Sequence, residues 1–221
     1  MSGPVVVTAK GILFDMDGVL ISSIGSVRRC WRRWAKMYGV PNAEEYEVPH
    51  GVRAIDIVKS LRPDIDPHEG LRAIEDMEVQ DVGDLQVLPG VKTLLAGLPM
   101  ERWAIVTSST RRLLLARLKA AGLPVPERII SADDVERGKP DPEPYRRGAE
   151  LLGLRPEECV VVEDAPSGVG AGKEARCRVV AVLGTEPVED LRGADWVVGS
   201  LEGLAVTVNV DGLELRFLSV A

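Results

Sequence analysis

Cysteine is scarce. The chain of 221 residues has three, Cys30, Cys159 and Cys177. An odd number without metal-type spacing excludes a disulfide framework and reads as reduced thiols in a cytoplasmic protein. An excess of positive charge is also missing. Lys and Arg number 27 against 34 Asp and Glu, a formal net charge of −7. That argues against a nucleic-acid or membrane-surface role, because phosphate backbones attract basic surfaces. No apolar run approaches the about 20 residues of a membrane span. The opening MSGPVVVTAKG has no basic leader and Lys10 interrupts it, so neither a signal peptide nor a membrane partner is expected. Internal repeats and low-complexity segments are absent. What remains is 45% hydrophobic and 28% charged residues, the composition of a folded globular protein. The length suits one large domain, or a core carrying a smaller insertion.

Apolar runs alternate with helix-length segments. Ile12–Phe14, Trp103–Thr107, Glu127–Ile130, Cys159–Asp164, Arg178–Val182 and Trp196–Val198 read as strands. Between them, SSTRRLLLARLKAAG places Leu114, Leu118 and Ala121 at helical spacing, with Gly122 as a stop. This pattern predicts an α/β fold, a Rossmann-like parallel sheet covered on both faces. Residues 19–88 break the rhythm. They contain no convincing strand, and Val27, Trp31, Trp34 and Tyr38 recur at helical spacing. Two further helices are expected from VRAIDIVKSLRP and PHEGLRAIEDMEV. The expected organisation is a first core part over 1–18, a helical cap over 19–88 inserted after the first strand, and a second core part over 89–221. LAVTVNVDGLELRFLSV alternates on both sides of Asp211-Gly212, which predicts a C-terminal β-hairpin.

Ligands of parallel α/β sheets bind beyond the carboxyl ends of the strands. Those ends carry Asp15 and Asp17, then Thr107, Ser108 and Ser109, then a loop with Lys139, then Glu163 and Asp164. A polar turn at a wet edge would explain Asp15 and Asp17 alone, but not the whole set. Each close pair of like charges costs about 4 kcal/mol at ~4 Å in a protein-like dielectric. Lys139 alone does not offset this, so either some acids are protonated or a hard cation sits among them. Mg²⁺ suits carboxylate oxygens, waters and a phosphate oxygen. A cation, a lysine and hydroxyls around a carboxylate are the needs of phosphoryl transfer.

DMDGVL, VTSS, GKPDPEPY and VVVEDAPSGVGAGKEA resemble, in order, the four motifs of the haloacid dehalogenase superfamily, over about residues 10–200. The insertion resembles the cap of its phosphatase and phosphoglucomutase branch. The resemblance implies Asp15 as nucleophile and metal ligand. It implies Asp17 as general acid and base, with its backbone carbonyl on Mg²⁺. Thr107 and Ser108 would bind phosphoryl oxygens, and Lys139 would pair with phosphate and nucleophile. Asp164 would be a metal ligand, with Glu163 holding the metal or its waters. Two positions depart from the pattern: Ser22 stands where relatives place an aspartate, and Arg176 where the fourth-motif helix often ends in glycine.

Other residues carry two readings. Ser109 either belongs to the site or caps the following helix. Asp141 and Pro142 suit the start of a helix over EPYRRGAELLG. Arg28, Arg29, Arg32, Arg33 and Lys36 form either a solvated helix face or a field that attracts an anionic substrate. His50, Gly51 and Arg53, in PHGVRAIDIV, form either a loop and cap or substrate contacts. This HGxR arrangement resembles the cap of sugar- and polyol-phosphate phosphatases, which share WAIVTS and KPDPEPY. The expected activity is Mg²⁺-dependent hydrolysis of a small sugar or polyol phosphate by a monomer, through an aspartyl-phosphate. A sugar phosphomutase on the same scaffold is the first alternative. A non-catalytic phosphate-binding regulator is the second, opposed by the insertion and by Asp17.

Overall fold

The computed structural model describes residues 3–220. Met1 and Ser2, at the start of the expected 1–18 core part, and Ala221, at the end of the 89–221 part, lie outside the described residues. Six parallel strands form the central sheet: β2 (Gly11–Phe14), β5 (Trp103–Val106), β6 (Ile129–Ile130), β7 (Cys159–Glu163), β8 (Arg178–Val182) and β9 (Trp196–Val198). Their order is β6-β5-β2-β7-β8-β9. The first strand in the chain is thus central, flanked by β5 and β7, with Phe14 opposite Ile105 and Val162.

Alternate residues of these strands face opposite sides of the sheet. Ile12, Phe14, Trp103, Ile105, Val160 and Val162 enter one core, and Leu13, Ala104, Val106 and Val161 the other. All are fully enclosed, each large side chain contributing about 1.5–3 kcal/mol by leaving water. Phe14 and Trp103 meet edge to face, with centroids 6.0 Å apart. On the second side lie α6 (Glu143–Leu151) and α7 (Pro166–Glu174), through Tyr145, Ala149, Val169 and Ala171. Asp141 caps α6, its Oδ1 accepting from the Glu143 amide at 2.9 Å. The first side is covered by α4 (Val91–Gly97) and α5 (Arg111–Ala121), and by a second sheet.

That second sheet is larger than the expected hairpin. β10 (Ala205–Asn209) and β11 (Gly212–Phe217) pair antiparallel, and β1 (Val5–Ala9) joins them along β11. Val5–Ala9 has the pattern of a half-buried strand, but its partner lies some 200 residues away in sequence, roughly the whole chain. The expectation of no strand in 19–88 is also corrected. β3 (Ile21–Ser22) and β4 (Gln86–Val87) pair antiparallel where the chain leaves and re-enters the core. Two residues are too few for a period to show.

Between β3 and β4 stand α1 (Ile24–Met37), α2 (Ala54–Leu61) and α3 (Pro67–Gln80). They enclose their own core of Trp31, Trp34, Ile57, Val58 and Ile74. Trp34 is completely buried and donates its indole N–H to the Gly70 carbonyl at 2.9 Å. Four of the five basic residues of α1 pair with neighbouring acids: Arg28 and Arg32 with Glu47, Arg29 with Asp81 and Asp84, Lys36 with Glu44. All three cysteines are buried and unpaired, and burial pushes their thiols up to about 12. Among the described residues no helix is long and apolar enough to cross a membrane.

Candidate active site

Three adjacent strands deliver the candidate residues to one end of the sheet. Asp15 follows β2, its amide bonded to the Val162 carbonyl. Thr107 follows β5, its amide bonded to the Ile130 carbonyl. Glu163 ends β7 and Asp164 follows it. Because these groups continue rigid strands, their positions are set by the sheet ladder.

Lys139 sits at the centre, fully buried. Its ammonium donates to Asp15 Oδ1 at 2.6 Å, Glu163 Oε1 at 2.7 Å and the Val106 carbonyl at 3.0 Å, which uses all three protons. It also lies 5.0 Å from the centre of the Tyr145 ring. Tyr145 in turn donates its hydroxyl to Glu163 Oε1 at 2.7 Å. Glu163 Oε2 accepts the amides of Asp164 and Ala165. Burial alone would raise the Glu163 carboxyl, but the charge and hydrogen bond of Lys139 outweigh it and hold the group below its usual range. Glu163 is thereby an anchor for Lys139 with its acceptors already engaged.

Asp15 and Asp164 are less well compensated. Burial pushes the Asp15 carboxyl up to about 7, with Lys139 opposing and Glu163 and Asp17 adding to the rise. Burial, followed by the charges of Glu163 and Asp15, raises Asp164 well above the carboxylate range. Oxygens of Asp15, Glu163 and Asp164 lie within 4.8 Å of one another. Buried oxygen donors with a deficit of positive charge fit a hard divalent cation. Gly18 keeps this end open. Its φ is +84°, and a Cβ there would collide with Asp164 Oδ2.

Asp17 faces the other way. Its carboxylate is outside the Asp15–Glu163–Asp164 cluster and accepts from Ser23 Oγ at 2.7 Å, Ser109 Oγ at 3.0 Å and Arg117 at 2.8 Å. Ser109 therefore belongs to the site, and the helix-capping hydroxyl is that of Thr110, which accepts from the Leu113 amide. Ser23, rather than Ser22, reaches Asp17; Ser22 is the β3 partner of Gln86.

A cavity of about 90 Å³ runs from Asp15, Asp17, Thr107 and Ser108 up to the cap. That volume is about three waters, so a substrate fills it only by displacing water or moving the cap. His50 lines this cavity. Ser108 lines it too, while its hydroxyl donates to the Gly51 carbonyl at 2.6 Å. Ser167 donates to the His50 carbonyl at 3.0 Å. Gly51 permits this approach: its φ is +75°, and a Cβ would strike Ser167. Arg53 is not brought into the cavity. Its guanidinium grips Asp56 and donates to the carbonyls of Val135 and Glu136, in the loop leading to Lys139.

Sequence reasoning passed over Tyr145, Arg117 and Glu78. Tyr145 lies within the quoted GKPDPEPY motif. Arg117 and Glu78 carried a different signal, a charge on the buried side of a helix. Arg117 is buried on α5 with Leu113, Leu114 and Leu118, and Glu78 continues the buried row of Gly70 and Ile74 on α3.

The chain has relatives among known proteins. The haloacid dehalogenase-like hydrolase pattern matches residues 9–176. The chain belongs to the haloacid dehalogenase-like hydrolases. Hexitol phosphatase A of Escherichia coli is 41% identical to this hydrolase over 211 residues, covering 92% of this chain and 96% of the relative. Glycerol-1-phosphate phosphohydrolase 2 of Saccharomyces cerevisiae is 33% identical over 97% of this chain and 92% of its own. A solved hydrolase from Pseudomonas syringae superposes with a TM-score of 0.77 at 26% identity, covering 87% of this chain and 94% of that one. This family member thus matches these proteins over most of its length and most of theirs.

Proposed function

We propose that this haloacid dehalogenase-like hydrolase is a divalent-cation-dependent phosphatase of small sugar or polyol monophosphates, working through an aspartyl-phosphate. The observation that carries the reading is the Asp15–Lys139 pair, 2.6 Å apart, among buried acids at the ends of the neighbouring strands β2 and β7. The relatives above, a hexitol phosphatase and a glycerol-1-phosphate phosphohydrolase, support the substrate class. As a phosphoric monoester hydrolase it must neutralise a phosphoryl group, position a nucleophile and move one proton each way.

Asp15, Asp164 and the Asp17 backbone carbonyl would hold Mg²⁺, with Glu163 behind them. When bound, the cation supplies charge neutralisation for the phosphoryl oxygens and keeps Asp15 ionised. The hydroxyls of Thr107 and Ser108 and the Lys139 ammonium bind the phosphoryl oxygens; to do so Ser108 must release Gly51 and Lys139 one of its three present acceptors. Lys139 also fixes Asp15 through Oδ1, and among the described residues no donor reaches Oδ2. An Asp15 oxygen attacks phosphorus and the bond to the leaving oxygen breaks. Asp17 gives that oxygen a proton. Asp17 then takes a proton from water, whose oxygen attacks phosphorus and restores the Asp15 carboxylate. Closure of α1–α3 over the cavity excludes bulk water.

The test is phosphate release from glycerol 1-phosphate and hexitol phosphates, with Mg²⁺ and with EDTA. Release is expected only with the cation, and Asp15→Asn is expected to lower it by about 10⁴-fold or more. Asp15→Asn retaining full activity would remove the nucleophile. Isomerised sugar phosphate without free phosphate would replace hydrolysis by mutase chemistry.

A further inference from the structure

A buried guanidinium beside the cavity joins core to cap. Arg117, on α5, donates to Asp17 Oδ2 at 2.8 Å and to Glu78 Oε1, on α3, at 3.1 Å. Its side chain is 3% exposed and that of Glu78 5%. Bonding around this pair is incomplete. Arg117 Nε is enclosed and has no acceptor. Among the described residues no donor reaches Glu78 Oε2, and Glu78 lines the cavity above Asp17. A buried ionic group with unmet hydrogen bonds is costly, and a ligand that completes it recovers that cost.

The chemistry of the lining says which ligand. Next to Glu78 stand Glu75 and Thr110, hydrogen-bonded to each other, and the apolar walls of Trp31, Leu71 and Ile74. The lining holds the carboxylates of Asp15, Asp17, Glu75 and Glu78, with Arg117 as its one guanidinium among the described residues, already shared by Asp17 and Glu78. Among the described lining residues there is no lysine and no second arginine to receive a second anionic group; His50, at the core side of the cavity, is the one other basic side chain. Hydroxyls, in contrast, can donate to a carboxylate oxygen and accept from a guanidinium.

Resting on the phosphatase reading above, we infer that Glu78, held in place by Arg117, reads the hydroxyls of the leaving group, selecting neutral polyol esters and rejecting leaving groups that carry a second phosphate. Glu78 acts on specificity; it takes no part in the bond changes at phosphorus. Burial raises the Glu78 carboxyl to about 7; in assays above that pH, where it is ionised, a hydrogen bond to the charged group sets the expected effect at about 10- to 100-fold in kcat/KM.

The experiment compares three phosphate donors with Mg²⁺ present. Glycerol 1-phosphate carries hydroxyls, acetyl phosphate is small and has none, and fructose 1,6-bisphosphate carries a second phosphate. In Glu78→Gln the ratio of kcat/KM for glycerol 1-phosphate over acetyl phosphate is expected to fall by about 10- to 100-fold. The preference of the unmodified enzyme for the monophosphate over the bisphosphate is expected to narrow. Glu78→Asp, which keeps the charge but withdraws it by one methylene, is expected to move the same ratio part of the way. It serves if the amide variant does not fold. An unchanged ratio in both variants, with activity equal or uniformly lowered, overturns the inference and leaves the phosphatase reading intact. An unmodified enzyme that cleaves acetyl phosphate but no polyol phosphate overturns the reading, and the inference with it.

Discussion

Lys139 and Arg117 are both buried cations, and each grips one aspartate of the Asp15-Met16-Asp17 segment. Their surroundings differ. Lys139 lies wholly within the core, between β2, β5 and β7, with three acceptors for three protons. Arg117 bridges the core to α3 of the cap, keeps one N–H unpaired, and stands beside a cavity. The first network is complete whether or not the cap is closed. The second depends on the cap for Glu78. The end proposed to hold the phosphate is thereby built rigid, and the end proposed to hold the leaving group is left to be completed. That division suits an enzyme that holds one chemical group constant while a cap discriminates among the rest.

The sharpest way to break this comparison is to remove each cation in turn. Lys139→Met leaves Asp15 and Glu163 buried without their partner, and unfolding in denaturant is expected to show a loss of about 3–5 kcal/mol. Arg117→Met is expected to cost less, about 1–3 kcal/mol, because Asp17 and Glu78 can take up water from the cavity. A larger loss from Arg117 than from Lys139 would reverse the assignment of the rigid end.

Cation binding offers a smaller effect with a defined sign. The folded protein raises Asp15 from 3.8 to about 7, and Asp164 also upward, so it holds protons that the unfolded chain releases. The stability these protonated groups contribute is fully present below the unfolded pKa. It is lost as pH rises through the folded value. A cation that binds the ionised carboxylates offsets that loss. Mg²⁺ is therefore expected to raise Tm by about 5 °C or more at pH 7.5, and by much less at pH 5, in thermal unfolding. An equal rise at both pH values would dissociate the cation from these acids.

The smallest prediction lies outside both networks. Arg176 follows α7 with φ of +71°, a left-handed position where a side chain costs about 1 kcal/mol relative to glycine. This explains the departure from glycine in the fourth motif as a strained helix end. Arg176→Gly is expected to raise Tm by roughly 2–4 °C with kcat/KM unchanged. A change in activity would show that the α7 end communicates with the site.

The sequence by itself determined the sheet and the set of polar groups at its carboxyl end. Apolar runs that end in Asp15, Thr107 and Glu163-Asp164 are local patterns, and the rule that parallel strands present their carboxyl ends to one crevice converts them into one site. The alternation around Asp211-Gly212 was legible for the same reason. Only the tertiary structure decided the rest. β1 finds its partner in β11 from the opposite end of the chain, and Arg53 reaches carbonyls of Val135 and Glu136 in the core. Ser109 turns to Asp17 because Thr110 takes the cap. Arg117 and Glu78 each look like a misplaced charge on the buried side of a helix. The two become a pair only when α5 and α3 come together, because the burial of a charge is set by the partner it meets and not by its neighbours in sequence.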